Sequence, residues 1–87
     1  MPSPRSITVT VRFLARYAEL VGRETLPVSA PVPATVDSIL ERLLQVCPPA
    51  RALPPKPLCA RNFRQVRGSD SVADGDELAV LPPMAGG

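Results

Sequence analysis

Hydrophobic and polar residues alternate near the start of the chain in the way that is typical of a β-strand. From Ile7 to Phe13 every odd-numbered residue is apolar, whereas the even-numbered residues up to Arg12 are polar. Leu14 is the exception, because it is apolar and falls on the polar face. The pattern therefore predicts a strand with one buried face and one unexplained leucine at the end of its other face.

Two shorter elements are predicted next. Residues 15–22 are long enough for a short helix, and Gly22 suits the left-handed conformation that ends one. Residues 24–29 predict a second strand, in which Pro27 favours an edge position because proline cannot donate a ladder hydrogen bond.

One segment has clear helical spacing. Thr35 is a good N-cap, and Asp37 places negative charge in the first turn, where the helix dipole favours it. The pair Pro48-Pro49 stops the helix. The apolar stripe that we expect to cover a sheet consists of Val36, Ile39, Leu40, Leu43 and Cys47.

The remaining segments predict short strands separated by turns. Residues 50–57 form a proline-stiffened crossing, and residues 58–63 and 65–67 are strand candidates. Asp74-Gly75-Asp76 is a turn signal that leads into a last strand over residues 77–81. In that strand the side chains of Ala79 and Leu81 share one face, and Leu78 and Val80 share the other.

This order predicts an α+β domain of the β-grasp, or ubiquitin-like, type. One main helix packs on one face of a mixed sheet of about four to five strands, with the first and last strands parallel at the centre. Leu14 and Leu81 then lie at the ends of neighbouring strands, on the face away from the helix, and we expect them to bind a partner. We expect residues 1–87 to form a single domain with a flexible tail over about residues 82–87.

Composition argues against a self-sufficient enzyme. The sequence has no histidine and only two cysteines, Cys47 and Cys59, so a zinc site or a Ser-His-Asp triad is not expected. We interpret both cysteines as buried thiols. No glycine-rich phosphate-binding loop is present.

Charge and hydropathy argue against a nucleic-acid-binding protein and against a membrane protein. A net charge of +2 is too small to indicate nucleic-acid binding. No segment reaches the roughly 18 apolar residues of a membrane span, and no secretory signal is visible, so we expect a cytoplasmic location. A basic cluster of Arg61, Arg64 and Arg67 leaves open a weaker alternative, a regulatory subunit that binds an acidic partner.

The sequence ends in Gly86-Gly87, after Pro82-Pro83-Met84-Ala85. An arm of glycines has no Cβ atoms and therefore fits a channel that excludes side chains. Its α-carboxylate is a poor electrophile until another protein activates it, for example as an acyl-adenylate made from ATP. A sulfur nucleophile can then convert it to a thiocarboxylate.

These motifs together resemble the MoaD-type sulfur carriers, the small subunits of molybdopterin synthase. The resemblance covers residues 7–87. It rests on Phe13-Leu14-Ala15, Glu19-Leu20-Val21-Gly22, Ala60-Arg61-Asn62, Asp74-Gly75-Asp76-Glu77-Leu78 and the ending Pro82-Pro83-Met84-Ala85-Gly86-Gly87.

The resemblance implies a function in molybdenum cofactor biosynthesis. Gly87, with Gly86 beside it, would be adenylated by an E1-like enzyme that uses ATP and magnesium, and then thiocarboxylated. The sulfur donor would be a cysteine desulfurase or a rhodanese-like protein. The tail would enter the large subunit of a heterotetrameric synthase, where the sulfur passes to a pterin precursor. Leu14, Leu81 and the segment Pro82-Pro83-Met84-Ala85 would contact partners. This chain itself would bind no cofactor, metal, nucleic acid or membrane.

Three departures from the family pattern accompany the resemblance. Gln65 and Arg61 stand where the family usually has apolar residues, and residues 50–57 hold more prolines than the family pattern leads us to expect. The same features also suit a sulfur carrier for cysteine synthesis, thiamine synthesis or tRNA thiolation. An alternative from a different class is a non-reactive ubiquitin-like interaction module whose terminal glycines are incidental.

Overall fold

The computed structural model describes residues 5–83 and shows a mixed β-sheet with one principal helix packed on one face. The strands are β1 Ser6–Phe13, β2 Thr25–Pro31, β3 Ala34–Thr35, β4 Leu58–Arg61, β5 Arg64–Val66, β6 Ser71–Val72 and β7 Glu77–Leu81. The helices are α1 Arg16–Val21 and α2 Val36–Val46, and a 3₁₀ helix spans Pro48–Ala52.

The main sheet has five strands in the order β2-β1-β7-β4-β5. β1 and β7 are parallel, with Val11 opposite Leu78, and the other neighbours are antiparallel. The predicted parallel pairing of the first and last strands is therefore confirmed, as is the edge position of the strand that contains Pro27. The β-grasp prediction is confirmed with it.

Helix α2 begins where its capping residues predict. The Thr35 Oγ1 accepts a hydrogen bond from the Ser38 N–H at 3.2 Å, and the Ser38 Oγ accepts one from the Thr35 N–H at 2.8 Å. This reciprocal arrangement is a capping box, which satisfies N–H groups that the helix leaves unpaired. Of the predicted stripe, Val36, Ile39 and Leu43 are buried in α2, as is Cys47 at its C-cap. Leu40 is only partly buried but packs against the same core.

Substitution of the cap should destabilise the fold. Because Thr35→Ala leaves the Ser38 N–H without its acceptor, we expect the free energy of unfolding to fall by about 1 kcal/mol. Urea denaturation followed by circular dichroism measures this loss. Ser69→Ala, at an exposed turn residue, is the control and should change stability by about 0.5 kcal/mol or less. Equal stability of the two variants would show that the capping box contributes nothing.

The core lies between α2 and the inner face of the sheet. Its fully buried side chains include Val9, Val11, Ile39, Leu78 and Val80. No polar or charged residue is buried among residues 5–83. The alternation predicted for β1 and β7 therefore agrees with their observed burial.

Several strand boundaries differ from the predictions, and the largest difference has a local cause. The predicted strand over 58–63 ends at Arg61, because Asn62 and Phe63 have positive φ angles of 50° and 75° and form a two-residue hairpin turn. The next strand is Arg64–Val66 rather than 65–67, and the second strand is Thr25–Pro31 rather than 24–29. The small pair formed by β3 and β6 was not predicted.

Within residues 5–83, none of the helices has the length and apolar character that crossing a bilayer requires.

Candidate functional site

The face of the sheet opposite α2 carries a shallow apolar depression, here called the open-face depression. The Leu14 N–H donates to the Val80 carbonyl oxygen at 3.1 Å, so Leu14 continues β1 alongside β7. The structure thus brings Leu14 and Leu81 to one surface. The depression has a volume of about 340 Å³ and is lined by Arg12, Leu14, Ala60, Phe63, Glu77, Ala79 and Leu81.

Two apolar residues of this face were not predicted. Leu58 is the register partner of Leu81 and is 37% exposed. Phe63, in the turn between β4 and β5, is 93% exposed. Alternation with the buried Cys59 is a signal for Leu58, whereas the strand predicted over residues 58–63 does not indicate the turn that contains Phe63.

One ion pair lies within the depression. The Arg12 Nε is 2.5 Å from the Glu77 Oε2, and the two side chains are 42% and 31% exposed. A pair this accessible to water contributes little to stability. Its effect is to place a positive and a negative group at fixed positions beside the apolar side chains.

The predicted arm leaves the domain beside this depression. Strand β7 ends at Leu81, after which Pro82 is half-buried and Pro83 is exposed. Proline fixes its own φ angle, so the two prolines give the start of the arm a stiff backbone. The other predicted tail residues, Met84, Ala85, Gly86 and Gly87, lie outside the described residues.

The acidic residues near the predicted turn act as structural acceptors. An Asp74 carboxylate oxygen accepts from the Thr8 N–H at 2.8 Å, and an Asp76 oxygen accepts from the Ala73 N–H at 2.8 Å. Gly75, between them, has a φ of 87°, which favours glycine. In the described part of the chain, no group of three or more metal-ligating side chains comes together.

The two cysteines are free, buried thiols. Burial, with a smaller contribution from the negative charge of Asp37, raises the pKa of the Cys59 thiol from 9.0 to about 11. Because the thiolate is the reactive form of cysteine, this thiol is a poor nucleophile near neutral pH. Neither cysteine forms a disulfide, in agreement with the prediction.

The raised pKa of Cys59 predicts a loss of stability at alkaline pH. The folded protein holds the thiol protonated, so the stabilisation is fully present below pH 9 and is lost as pH rises through about 11. We expect Cys59→Ala to show a smaller decrease in unfolding free energy across this interval than the unsubstituted chain. Urea denaturation at several pH values measures how the unfolding free energy of each chain changes with pH. The same change in both chains would contradict a raised pKa for the Cys59 thiol.

The residues of the basic cluster have different hydrogen-bond partners. The Arg61 guanidinium donates to the Ser71 carbonyl oxygen at 2.5 Å, and Arg61 and Arg64 are register partners across the hairpin. The Arg67 N–H donates to an Asp70 carboxylate oxygen at 2.8 Å. Gln65, the other departure from the family pattern, is exposed and lies opposite Ala60.

A five-stranded mixed sheet with a parallel central pair and one covering helix defines a ubiquitin-like β-grasp domain. Within this class the chain belongs to the ThiS family, which residues 11–87 match. It is 30% identical over 82 residues to the molybdopterin synthase sulfur carrier subunit of Arabidopsis thaliana, covering 94% of this chain and 85% of that protein. The family-level resemblance found in the sequence is confirmed.

Solved structures agree with this assignment. The crystal structure of SAMP1 from Haloferax volcanii superposes with a TM-score of 0.80 at 28% identity, covering 92% of this chain and 99% of that chain. A chain from the complex of subunits 1 and 2 of molybdopterin-converting factor from Helicobacter pylori has a TM-score of 0.66 at 23% identity, covering 93% and 100% respectively. The second likeness concerns the fold alone.

Proposed function

We propose that this chain is the sulfur carrier subunit of a molybdopterin synthase. The observation that carries the proposal is its 30% identity, over 82 residues, to a protein of that function. The ThiS family match, which extends to Gly87 and so includes the glycine pair, supports the role of the tail.

The reaction needs only one group from this chain, the α-carboxylate of Gly87. A carboxylate oxygen attacks the α-phosphate of ATP, which releases pyrophosphate and leaves an acyl-adenylate. A persulfide sulfur from the donor protein attacks the carbonyl carbon, and AMP departs with the oxygen. A thiol then cleaves the sulfur–sulfur bond, so that the chain keeps a thiocarboxylate and the donor side is left as a disulfide.

The chain contributes positioning to this sequence, while its partners contribute catalysis. ATP and magnesium belong to the E1-like activating enzyme, and the sulfur comes from a desulfurase or rhodanese-like donor. Holding a reacting group in place removes much of the entropic part of a barrier. The domain does so by docking through the open-face depression while the adjacent arm reaches the partner's active site.

The large synthase subunit is the proposed recipient of the tail. Leu14, Leu81 and Pro82 lie where the arm begins, so a protein that encloses the arm must also cover this apolar surface. Exposed apolar side chains that surround a functional segment are typical of protein interfaces.

Reconstitution tests the proposal. The chain is loaded with ATP, magnesium, an activating enzyme and a sulfur donor, and then mixed with the large synthase subunit and the pterin precursor. We expect formation of the dithiolene product to depend on loading. A fully thiocarboxylated chain that yields no dithiolene with the large subunit would overturn the molybdopterin assignment.

The likeness to SAMP1, a small archaeal modifier protein, favours a second candidate function. A modifier would transfer its activated carboxyl group to an amine of another protein, with AMP as the leaving group. Mass spectrometry of proteins purified with the tagged chain distinguishes the two functions, because only a modifier leaves an isopeptide bond between Gly87 and a lysine.

A further inference from the structure

Phe63 is the most exposed large apolar residue of the described chain. Its side chain is 93% exposed, whereas the other exposed large apolar residues range from 37% to 49%. Packing in the core therefore does not explain a phenylalanine at this position. A polar residue would keep the domain more soluble.

The backbone conformation at this position also disfavours phenylalanine. Asn62 and Phe63 form the two-residue turn between β4 and β5, with φ angles of 50° and 75°. Turns of this kind favour asparagine followed by glycine, because both central residues have positive φ. Asn62 fits that preference, but a bulky residue in the second position is an outlier.

The turn is nevertheless held firmly in place. The Asn62 N–H donates to the Glu77 carbonyl oxygen at 2.9 Å, and the Glu77 N–H donates to the Asn62 side-chain oxygen at 3.0 Å. The Asn62 side-chain amide also donates to an Asp76 carboxylate oxygen at 3.1 Å. These bonds tie the turn to the start of β7, so that Phe63 is presented on a fixed support.

Backbone strain in the described chain is concentrated around the open-face depression. Among residues 5–83, three non-glycine residues have positive φ, namely Ala15, Asn62 and Phe63. Ala15 directly follows Leu14, and Phe63 itself lines the depression. Asparagine tolerates this conformation, but in Ala15 and Phe63 it is strained, and strained backbone clusters at functional sites.

We propose that Phe63 is the aromatic anchor by which this chain docks on the large synthase subunit. The inference rests on the function proposed above and deepens it by naming the residue that dominates the interface. The depression is continuous with the root of the arm through Leu81, so a protein that receives the arm also covers Phe63. Aromatic side chains, phenylalanine included, are enriched at protein interfaces, where a few residues carry most of the binding energy.

The surroundings of Phe63 define the chemistry of the surface that receives it. The partner must offer an apolar pocket for the phenyl ring and apolar contact for Leu14 and Leu81. It must also offer polar groups opposite the Arg12–Glu77 ion pair, which would otherwise lose water without compensation.

The test compares the affinities of variants for the purified large subunit by isothermal titration calorimetry, using the full 87-residue chain. We expect Phe63→Gly to weaken binding by about 30-fold, as loss of a dominant interface residue does. Phe63→Tyr should retain most of the affinity of the unsubstituted chain because it keeps the aromatic ring. Val46→Ala removes an exposed apolar side chain from α2, on the other face of the sheet, and should bind like the unsubstituted chain.

Unfolding measurements show whether weaker binding of Phe63→Gly results from a loss of folding. Glycine adopts a φ of 75° without strain, so Phe63→Gly should be at least as stable to urea as the unsubstituted chain. Unchanged affinity of Phe63→Gly, with normal binding by the unsubstituted chain, would overturn this inference and leave the proposed function intact. Failure of the unsubstituted chain to bind the large subunit would instead overturn the proposed function.

Discussion

Removal of Gly87 should abolish sulfur loading completely. In the proposed reaction the thiocarboxylate forms at the α-carboxylate of Gly87, and the shortened arm would present its carboxylate one residue short of the activating enzyme's nucleotide. We expect the intact mass of the shortened chain to stay unchanged after incubation with ATP, activating enzyme and sulfur donor. The unsubstituted chain should gain the mass difference between sulfur and oxygen.

Two controls test whether the loss of sulfur loading is specific to Gly87. The buried core residues lie between Ile7 and Val80, so the shortened chain should unfold at the same urea concentration as the full chain. Cys59→Ala should load sulfur like the unsubstituted chain, because the buried thiol takes no part in the proposed reaction. A shortened chain that still gains the sulfur mass would contradict the role of Gly87.

Leu81→Asp should weaken binding to the large subunit by about 100-fold or more. Leu81 lines the open-face depression at the point where β7 passes into Pro82. A carboxylate left without a partner in an apolar interface costs on the order of 3 kcal/mol, which corresponds to a change of that size in affinity. Calorimetric titration measures the effect.

The matched control introduces the same charge elsewhere. Leu20 is 48% exposed on α1 and does not line the depression, so Leu20→Asp should retain the affinity of the unsubstituted chain. Urea denaturation of both variants shows whether the half-buried position of Leu81 affects folding. Full affinity of a folded Leu81→Asp chain would remove the open face from the docking surface.

The sequence predicts the central part of the fold because its signals are local and strong. Alternation in β1 and β7 specifies which side chains are buried, and Thr35 with the following apolar stripe specifies α2. The predicted proximity of Leu14 and Leu81 followed from that alternation once the two strands were paired. Both residues do line one depression.

The missed features have weaker or non-local signals. Strands β3 and β6 contain two residues each and are defined only by their mutual pairing, which no periodicity reveals. Asn62 and Phe63 continue an apparent strand in the sequence, and only the positive φ angles of the hairpin turn bring Phe63 to the open face. The lining of the open-face depression was therefore predicted in part, without Phe63, its most exposed member.

We propose above all that the carboxyl group of Gly87 carries the sulfur. The location of the sulfur after loading tests this proposal most directly. Three positions could hold it: the Gly87 carboxyl group and the thiols of Cys47 and Cys59. Peptide mass spectrometry of the loaded, unsubstituted chain should find one oxygen replaced by sulfur in the peptide that ends in Gly87, with both cysteines unmodified. An unmodified Gly87 carboxyl group together with a persulfide on Cys47 or Cys59 would contradict the account.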